Sequence, residues 1–194
     1  RTHGQGRCCF QQRQIVGRSI KMKTLLKVSL RFGLIAAMIG LGLLIGFYYL
    51  DRHPLMIPVY LDFRIILFGV FIFFTLREIR DYHQNGILYF WQGIFASFLF
   101  TLCYGLISSG VLLAFMSAVP GFVAEYISLS VQNLRSLPPE VIESIGREVY
   151  EHNLDMLPGT TAMDLSLLYF SQSLLISLFI SIILSVVLRR QPNT

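Results

Sequence analysis

Phe32 to Leu50 reads FGLIAAMIGLGLLIGFYYL, and this stretch decides the fold because it carries no charge over nearly the length that crosses a bilayer. Three further apolar stretches follow, at 60–76, 87–119 and 165–188. Each is long enough to be considered as a membrane-crossing helix. We therefore predict an all-α polytopic membrane protein with four transmembrane helices, at about 32–50, 60–76, 90–119 and 165–188.

The composition supports a membrane environment. Of the 194 residues, 54% are hydrophobic and 14% are charged, and the mean hydropathy is +0.62. Soluble domains carry about 25% charged residues. An ordinary soluble core is therefore excluded as the main architecture.

The basic residues lie mostly on one side of the predicted spans, and this asymmetry sets the orientation of a membrane protein. With both termini in the cytoplasm, the inner side holds most of the 16 lysines and arginines: Arg1, Arg7, Arg13, Arg18, Lys21, Lys23, Lys27, Arg31, Arg77, Arg80, Arg189 and Arg190. We predict a bacterial cytoplasmic (inner) membrane protein with N-terminus and C-terminus inside. The net charge of +5 then reflects topology, and no nucleic-acid partner is expected.

Residues 1–21 form a basic segment without a methionine, whereas Met22 opens an ordinary start, MKTLLKVSLRFG. We predict a non-native or disordered leader over 1–21, a four-helix transmembrane domain over 22–190 and a short tail over 191–194. The alternative is an authentic basic arm along the cytoplasmic headgroups. Lys23, Lys27 and Arg31 keep the first span N-in under either interpretation.

Small residues recur every four positions on the predicted third and fourth spans, and a Gly-x-x-x-Gly pair lies on the first. Residues four apart share a helix face, and small faces let membrane helices approach closely. Three roles remain open: packing within a four-helix bundle, a homo-oligomer interface, and a polar stripe along a substrate path. The residues are Gly42, Gly46, Gly93, Ser97, Thr101, Gly105, Ser109, Ser173, Ser177, Ser181 and Ser185.

Asp62 and Arg64 are the charges near the start of the second span. Residues two apart on a helix point in different directions, so we expect no pair between them. The first interpretation places both at the outer interface, with Arg64 extending outward. The second makes Asp62 an ion or proton site reached from outside.

The segment 120–164 is the largest polar part, and we predict that it forms an extracytoplasmic amphipathic helical segment. Pro120 and Gly121 should end or bend the third helix, and 122–134 could continue as a surface helix. Pro138 and Pro139 then begin a helix, in which Ile142, Ile145 and Val149 would share one face. This surface would rest on the bundle or the headgroups, or bind a partner.

The sequence gives no pattern for catalysis. Cys8, Cys9 and Cys103 lack metal-ligand or disulfide spacing, and His83 has no second ligand beside it. Phosphate-binding loops, zinc-protease motifs and nucleophile elbows are missing from the sequence. We expect no catalytic residue, no cofactor site and no metal site, and hence no enzyme.

The stretch FFTLREIRDYHQNGILYFWQGIFASFLF, after a first span of the RFGLIAAMIGLGLLIGFYYL type, resembles the domain-of-unknown-function 4199 family, small membrane proteins of Bacteroidota. Arg80, Asp81, Gly86, Phe90 and Gln92 match the family pattern. The resemblance covers about Lys23 to Arg190 and implies four spans, an acidic helical segment before the last one and a basic C-terminus. It implies no activity.

Two functions remain as expectations. The first is a non-catalytic structural, assembly or regulatory subunit of an envelope complex, with the lipid bilayer and other membrane proteins, or a second copy of the chain, as partners. The alternative is a small transporter or channel, with a polar path near Asp62 and the serines of the fourth span.

Overall fold

The computed structural model describes residues 5–50, 53–56, 62–84, 86–119 and 121–189, with side chains from Met22 onward. The fold is all-helical. Its seven α-helices in the described part of the chain are α1 Gln5–Tyr49, α2 Phe63–Glu78, α3 Phe90–Ala118, α4 Gly121–Arg135, α5 Pro139–Ile145, α6 Arg147–Met156 and α7 Ala162–Val187.

Three of these helices are long and apolar enough to cross a membrane: α1 from Met22 onward, α3 and α7. The predicted second span corresponds to α2, which has 16 residues. At 1.5 Å per residue α2 is about 24 Å long, shorter than the three others. Tyr60 and Leu61, at the start of that predicted span, lie outside the described residues.

The helix α1 begins at Gln5, so helical backbone extends into the segment that the sequence sets apart as a leader. The assignment of residues 1–21 as non-native stays a prediction. The side chains of that segment, Cys8 and Cys9 among them, lie outside the described ones.

Helices α1, α2, α3 and α7 share one core. α3 packs against α1 and α7, while α2 contacts α1, α3 and α7. Phe68 of α2 is fully buried and meets two α3 rings edge-on, with centroids 6.0 Å from Phe100 and 4.8 Å from Tyr104. Such edge-to-face contacts add to the apolar burial.

The helix α7 has a clear start signal. Thr161 and Asp164 form a capping box, in which Asp164 accepts from the Thr161 backbone N–H at 2.9 Å and Thr161 accepts from the Asp164 backbone N–H at 3.3 Å. These bonds satisfy backbone donors that a helix start leaves unpaired.

Between α3 and α7, the helix α4 is fastened to the end of the bundle by Phe122, which is fully buried. Its ring centroid lies 5.0 Å from Tyr48 and 4.5 Å from His53, next to the short 3₁₀ turn Pro54–Met56. The predicted end of the third helix and the surface helix after it are both observed. The His53 Nε2 lies 3.3 Å from the Phe122 carbonyl oxygen.

The prediction of one helix through 142–149 is wrong. Gly146 has φ +95°, a backbone conformation that interrupts the helix between α5 and α6. A side chain rarely adopts this conformation, so glycine suits the break. Neither α5 nor α6 contains a buried residue, and Val141, Ile145 and Val149 are exposed.

Candidate functional site: a buried arginine cluster

The cluster starts at Asp62, the residue that caps α2. Asp62 has an extended backbone, with ψ 123°, and its Oδ1 accepts from the Arg64 backbone N–H at 2.9 Å. An aspartate at this position satisfies a donor that the first helical turn cannot pair. Its carboxylate also favours the positive end of the helix dipole. The side chain is only 7% exposed, so this cap lies inside the protein.

The guanidinium of Arg64 occupies the centre of the cluster and is almost fully buried. Its Nε donates to Asp62 Oδ2 at 2.7 Å, and its Nη2 donates to the same oxygen. Nη2 also donates to Gln172 Oε1 at 2.9 Å. Nη1 donates to the Tyr169 carbonyl oxygen at 3.2 Å and to Ser173 Oγ at 3.0 Å. A guanidinium has five N–H groups, and the cluster supplies an acceptor for each.

Two tyrosines extend the cluster from α7 to α3. The Arg64 guanidinium carbon lies 4.4 Å from the Tyr169 ring centroid, within range of a cation–π contact. The Tyr169 and Tyr104 hydroxyls are hydrogen-bonded at 2.8 Å. The three helices α2, α3 and α7 are thus joined by polar contacts. Tyr169 lies about 10 Å along α7 from its first residue, Ala162.

The expectation that Asp62 and Arg64 do not pair is wrong. It treated both residues as part of one helix, whereas Asp62 precedes the helix as its cap. The extended backbone there turns the carboxylate over the first turn, where the long arginine side chain reaches it. The outward placement of Arg64 is also wrong, because its side chain is only 5% exposed. A role for Asp62 in binding an ion or proton stays a prediction.

The sequence reasoning missed the partners of Arg64 on α7. Tyr169, Gln172 and Ser173 are spaced three and four apart and therefore share a helix face. That face was noted only for its serines. A polar face within an apolar helix, in a chain that also has an arginine inside an apolar stretch, is a signal that could have indicated the cluster.

Below the cluster, α3 and α7 meet through small side chains. A Cβ on Gly93 would lie 2.7 Å from Ser185 Oγ, and one on Gly105 would lie 2.7 Å from the Phe170 ring. Thr101 Oγ1 is hydrogen-bonded to Ser177 Oγ between them. Such short approaches let the two backbones pack closely. Ser97, Ser173 and Ser181 are also buried on this interface.

On α1, the glycines that meet α3 are not Gly42 and Gly46, and a role for that pair between two copies of the chain stays a prediction. Gly42 and Gly46 have no described atom within 4 Å of an added Cβ, whereas Gly33 would meet the Phe100 carbonyl oxygen at 2.9 Å and Gly40 the Tyr104 hydroxyl at 2.7 Å. The two sets lie on different faces of α1, and only the face with Gly33 is turned to α3. On α3, Ser109 is half-buried, and its hydroxyl bonds within its own helix.

At the other end of α2, a π-helical turn over Ile79–His83 carries a group of ion pairs. Glu78 contacts Arg31 of α1 at 2.5 Å, and Asp81 contacts Arg80 at 2.7 Å. The hydrogen bond from Arg80 lowers the pKa of Asp81 and raises that of Arg80. His83 lies 4.0 Å from Glu78. Among these pairs, Arg31–Glu78 joins this end of α2 to α1.

The described residues contain no group of three or more His, Cys, Asp or Glu side chains that could hold a metal ion. Cys103 is half-buried, with its Sγ 3.6 Å from the Leu30 carbonyl oxygen.

The chain matches the model of one known protein family. Residues 31–190 match the family described as protein of unknown function (DUF4199). The chain belongs to this family. The DUF4199 match confirms the resemblance and includes every element from the second half of α1 through α7. No curated protein and no solved structure matches the chain. The family description assigns no activity, and the cluster around Arg64 falls within the matched residues.

Proposed function

We propose that this chain is an integral protein of the bacterial cytoplasmic membrane and acts there as a non-catalytic structural, assembly or regulatory subunit of an envelope complex. In this topology α1, α2, α3 and α7 form four transmembrane segments, with both termini in the cytoplasm. The three long apolar helices support membrane insertion. The basic residues on α1 and after α7 support the orientation.

The observation that most favours a non-catalytic role is the hydrogen bonding of Arg64. Arg64, the most buried cation of the described chain, has acceptors within the protein for all five N–H groups. A substrate-binding arginine keeps donors free for its ligand. Arg64 instead donates all of its N–H groups to Asp62, the cap of its own helix, and to three residues of α7. These hydrogen bonds fix the placement of α2 relative to α7.

The contact surface of such a subunit would be the pair α5–α6. These helices bury no residue of their own. They expose Val141, Ile145 and Val149 among acidic side chains, outside the core that the long helices share. Exposed apolar side chains bordered by charge are typical of an interaction surface.

Co-purification tests this role. The tagged chain is extracted from its native membrane in mild detergent, and its partners are quantified by mass spectrometry. We expect a stoichiometric partner that Val149→Asp on α6 releases. The matched variant Ser117→Asp, also exposed but on α3, retains it. Purification of wild type as a lone monomer contradicts the proposal.

A second candidate, a small transporter or channel, is favoured by one observation. The polar residues of the Arg64 cluster continue along α7 through buried Ser177, Ser181 and Ser185. Flux measurements in proteoliposomes separate the two functions. Ion or proton flux that Asp62→Asn abolishes would favour a transporter, whereas a protein without flux that retains its partner favours the subunit.

A further inference from the structure

A groove of about 780 Å³ opens on the side of the bundle where α3 and α7 meet the first described side chains of α1. Its walls are apolar and come from all three helices. Trp91 and Phe95 of α3 form one wall, Leu174 and Leu178 of α7 form the other, and Met22 of α1 lies at one end.

The length of the groove matches one leaflet of a bilayer. Along α3 it extends from Trp91 to Thr101, about 15 Å at 1.5 Å per residue. This is half of the ~30 Å hydrocarbon core. Trp91 lies at one end, and tryptophan favours the boundary between headgroups and hydrocarbon. The groove therefore extends from that boundary to about the middle of the membrane.

The end of the groove near the middle of the membrane, at Thr101, suits an apolar chain. The Thr101 and Ser177 hydroxyls that line it are hydrogen-bonded to each other, and Thr101 also donates to the Ser97 carbonyl oxygen at 2.9 Å. Ser181 is 3.5 Å from Ser177. Because these hydroxyls already have hydrogen-bond partners, they do not require a polar ligand. The apolar walls of the groove can then contact an apolar chain along its length.

Positive charge lies beside the end of the groove at Trp91 and Met22. Lys23 is exposed and directly follows Met22, which lines the groove. The Lys23 side chain leaves α1 about 100° round the helix from that of Met22, so it flanks the groove and is not one of its lining residues. Lys27 is exposed one turn further along α1. A lysine beside the headgroup layer attracts anionic lipid, so this end complements a negative headgroup.

We propose that the groove is a binding site for one anionic phospholipid, with an acyl chain between α3 and α7 and the headgroup beside Lys23. This occupant presupposes the membrane placement proposed above and adds a ligand that the subunit role does not require. A preference for anionic over zwitterionic lipid distinguishes a site from ordinary contact with the bilayer.

Trp91 makes the test direct, because it is the single tryptophan of the chain and is 76% exposed at the groove. The full chain is reconstituted in vesicles that contain brominated phosphatidylglycerol or brominated phosphatidylcholine at equal mole fractions. Bromine quenches tryptophan emission on contact. We expect the phosphatidylglycerol to bind about five-fold more tightly, the equivalent of ~1 kcal/mol for one lysine near an anionic headgroup.

Two pairs of variants locate the lipid. Leu178→Phe narrows the groove, while Leu167→Phe adds the same ring to α7 outside it, at an equally exposed position (51% and 53%). Only the first should reduce the preference for phosphatidylglycerol. Lys23→Gln should remove most of the five-fold difference, whereas Arg147→Gln on exposed α6 should leave it unchanged.

The contrary results are distinct. Equal quenching by the two lipids overturns the lipid site and leaves the membrane placement intact. Quenching by neither lipid overturns both, because Trp91 would then lie away from the hydrocarbon. Loss of the preference in Leu167→Phe as much as in Leu178→Phe also overturns the site.

Discussion

Removing the Arg64 side chain should reveal how strongly the buried cluster holds α2 against α7. Arg64→Met deletes the donors to Asp62, Gln172 and Ser173 and leaves a carboxylate that is only 7% exposed without its counter-charge. Breaking a buried ion pair by removing one partner costs about 3–5 kcal/mol. We expect Arg64→Met to lower the free energy of unfolding by about that amount.

The double variant separates the lost pair from the unpaired charge. Asp62→Asn keeps an oxygen that can cap α2 at the Arg64 backbone N–H, but it leaves the guanidinium without a charged partner. Asp62→Asn combined with Arg64→Met buries no charge. Its cost should therefore fall about 2–3 kcal/mol below the sum of the two single costs, in the upper range for residues that contact each other.

The assay is reversible unfolding in mixed micelles as the fraction of dodecyl sulfate rises, followed by far-ultraviolet circular dichroism. The exposed pair Arg31–Glu78, with side chains 57% and 22% exposed, provides the matched control cycle, and its coupling should be at most about 1 kcal/mol. A coupling between Asp62 and Arg64 no larger than that of the control would refute the reasoning, because the cluster would then be solvated in solution.

Three further predictions follow from other parts of the fold. Gly33→Leu should destabilise the protein by about 1–3 kcal/mol through overpacking, because its Cβ would meet the Phe100 carbonyl oxygen, whereas Gly42→Leu should be near neutral in the same unfolding assay. Burial lowers the pKa of His53 in the folded protein. As the pH falls, the imidazole is therefore protonated in the unfolded chain before it is protonated in the folded one. Stability should therefore be full above about pH 6.5 and fall as the pH drops below it, and thermal melting at pH 7.5 and 5.5 should show a smaller difference for His53→Gln. Gly146→Ala should cost about 1 kcal/mol because of its positive φ, seen as faster hydrogen exchange at the α5–α6 junction than in wild type.

The long apolar helices were predictable because each depends on its own stretch of sequence, whereas the break between α5 and α6 was missed. Absence of charge over a long apolar stretch marks α1, α3 and α7. Pro120 with Gly121 marks where α3 ends, and Pro138 with Pro139 marks where α5 begins. These signals are local, so they need no knowledge of neighbouring helices.

The packing faces and the cluster could not be predicted in the same way. Gly42 and Gly33 look alike in the sequence, and only the position of α3 decides which of them is covered. The pairing of Asp62 with Arg64 depends on where α2 begins. The predicted span starts at 60, three residues before α2 does. That shift turns the cap into part of the helix, and the helix rule then gives the wrong geometry.

The short length of α2 has a consequence for the surrounding lipid. At about 24 Å it is some 20 Å shorter than α3, whose 29 residues extend about 43 Å. In the proposed four-span topology, hydrocarbon beside α2 would have to thin to match it, at a cost that grows with each ångström of mismatch. A thicker bilayer would press hydrocarbon against the start of α2, where Asp62 and Arg64 lie. With α2 as a span, the Asp62–Arg64 end of the helix should be more stable in short-chain lipids, and membrane thickness would act directly on the stability of that cluster.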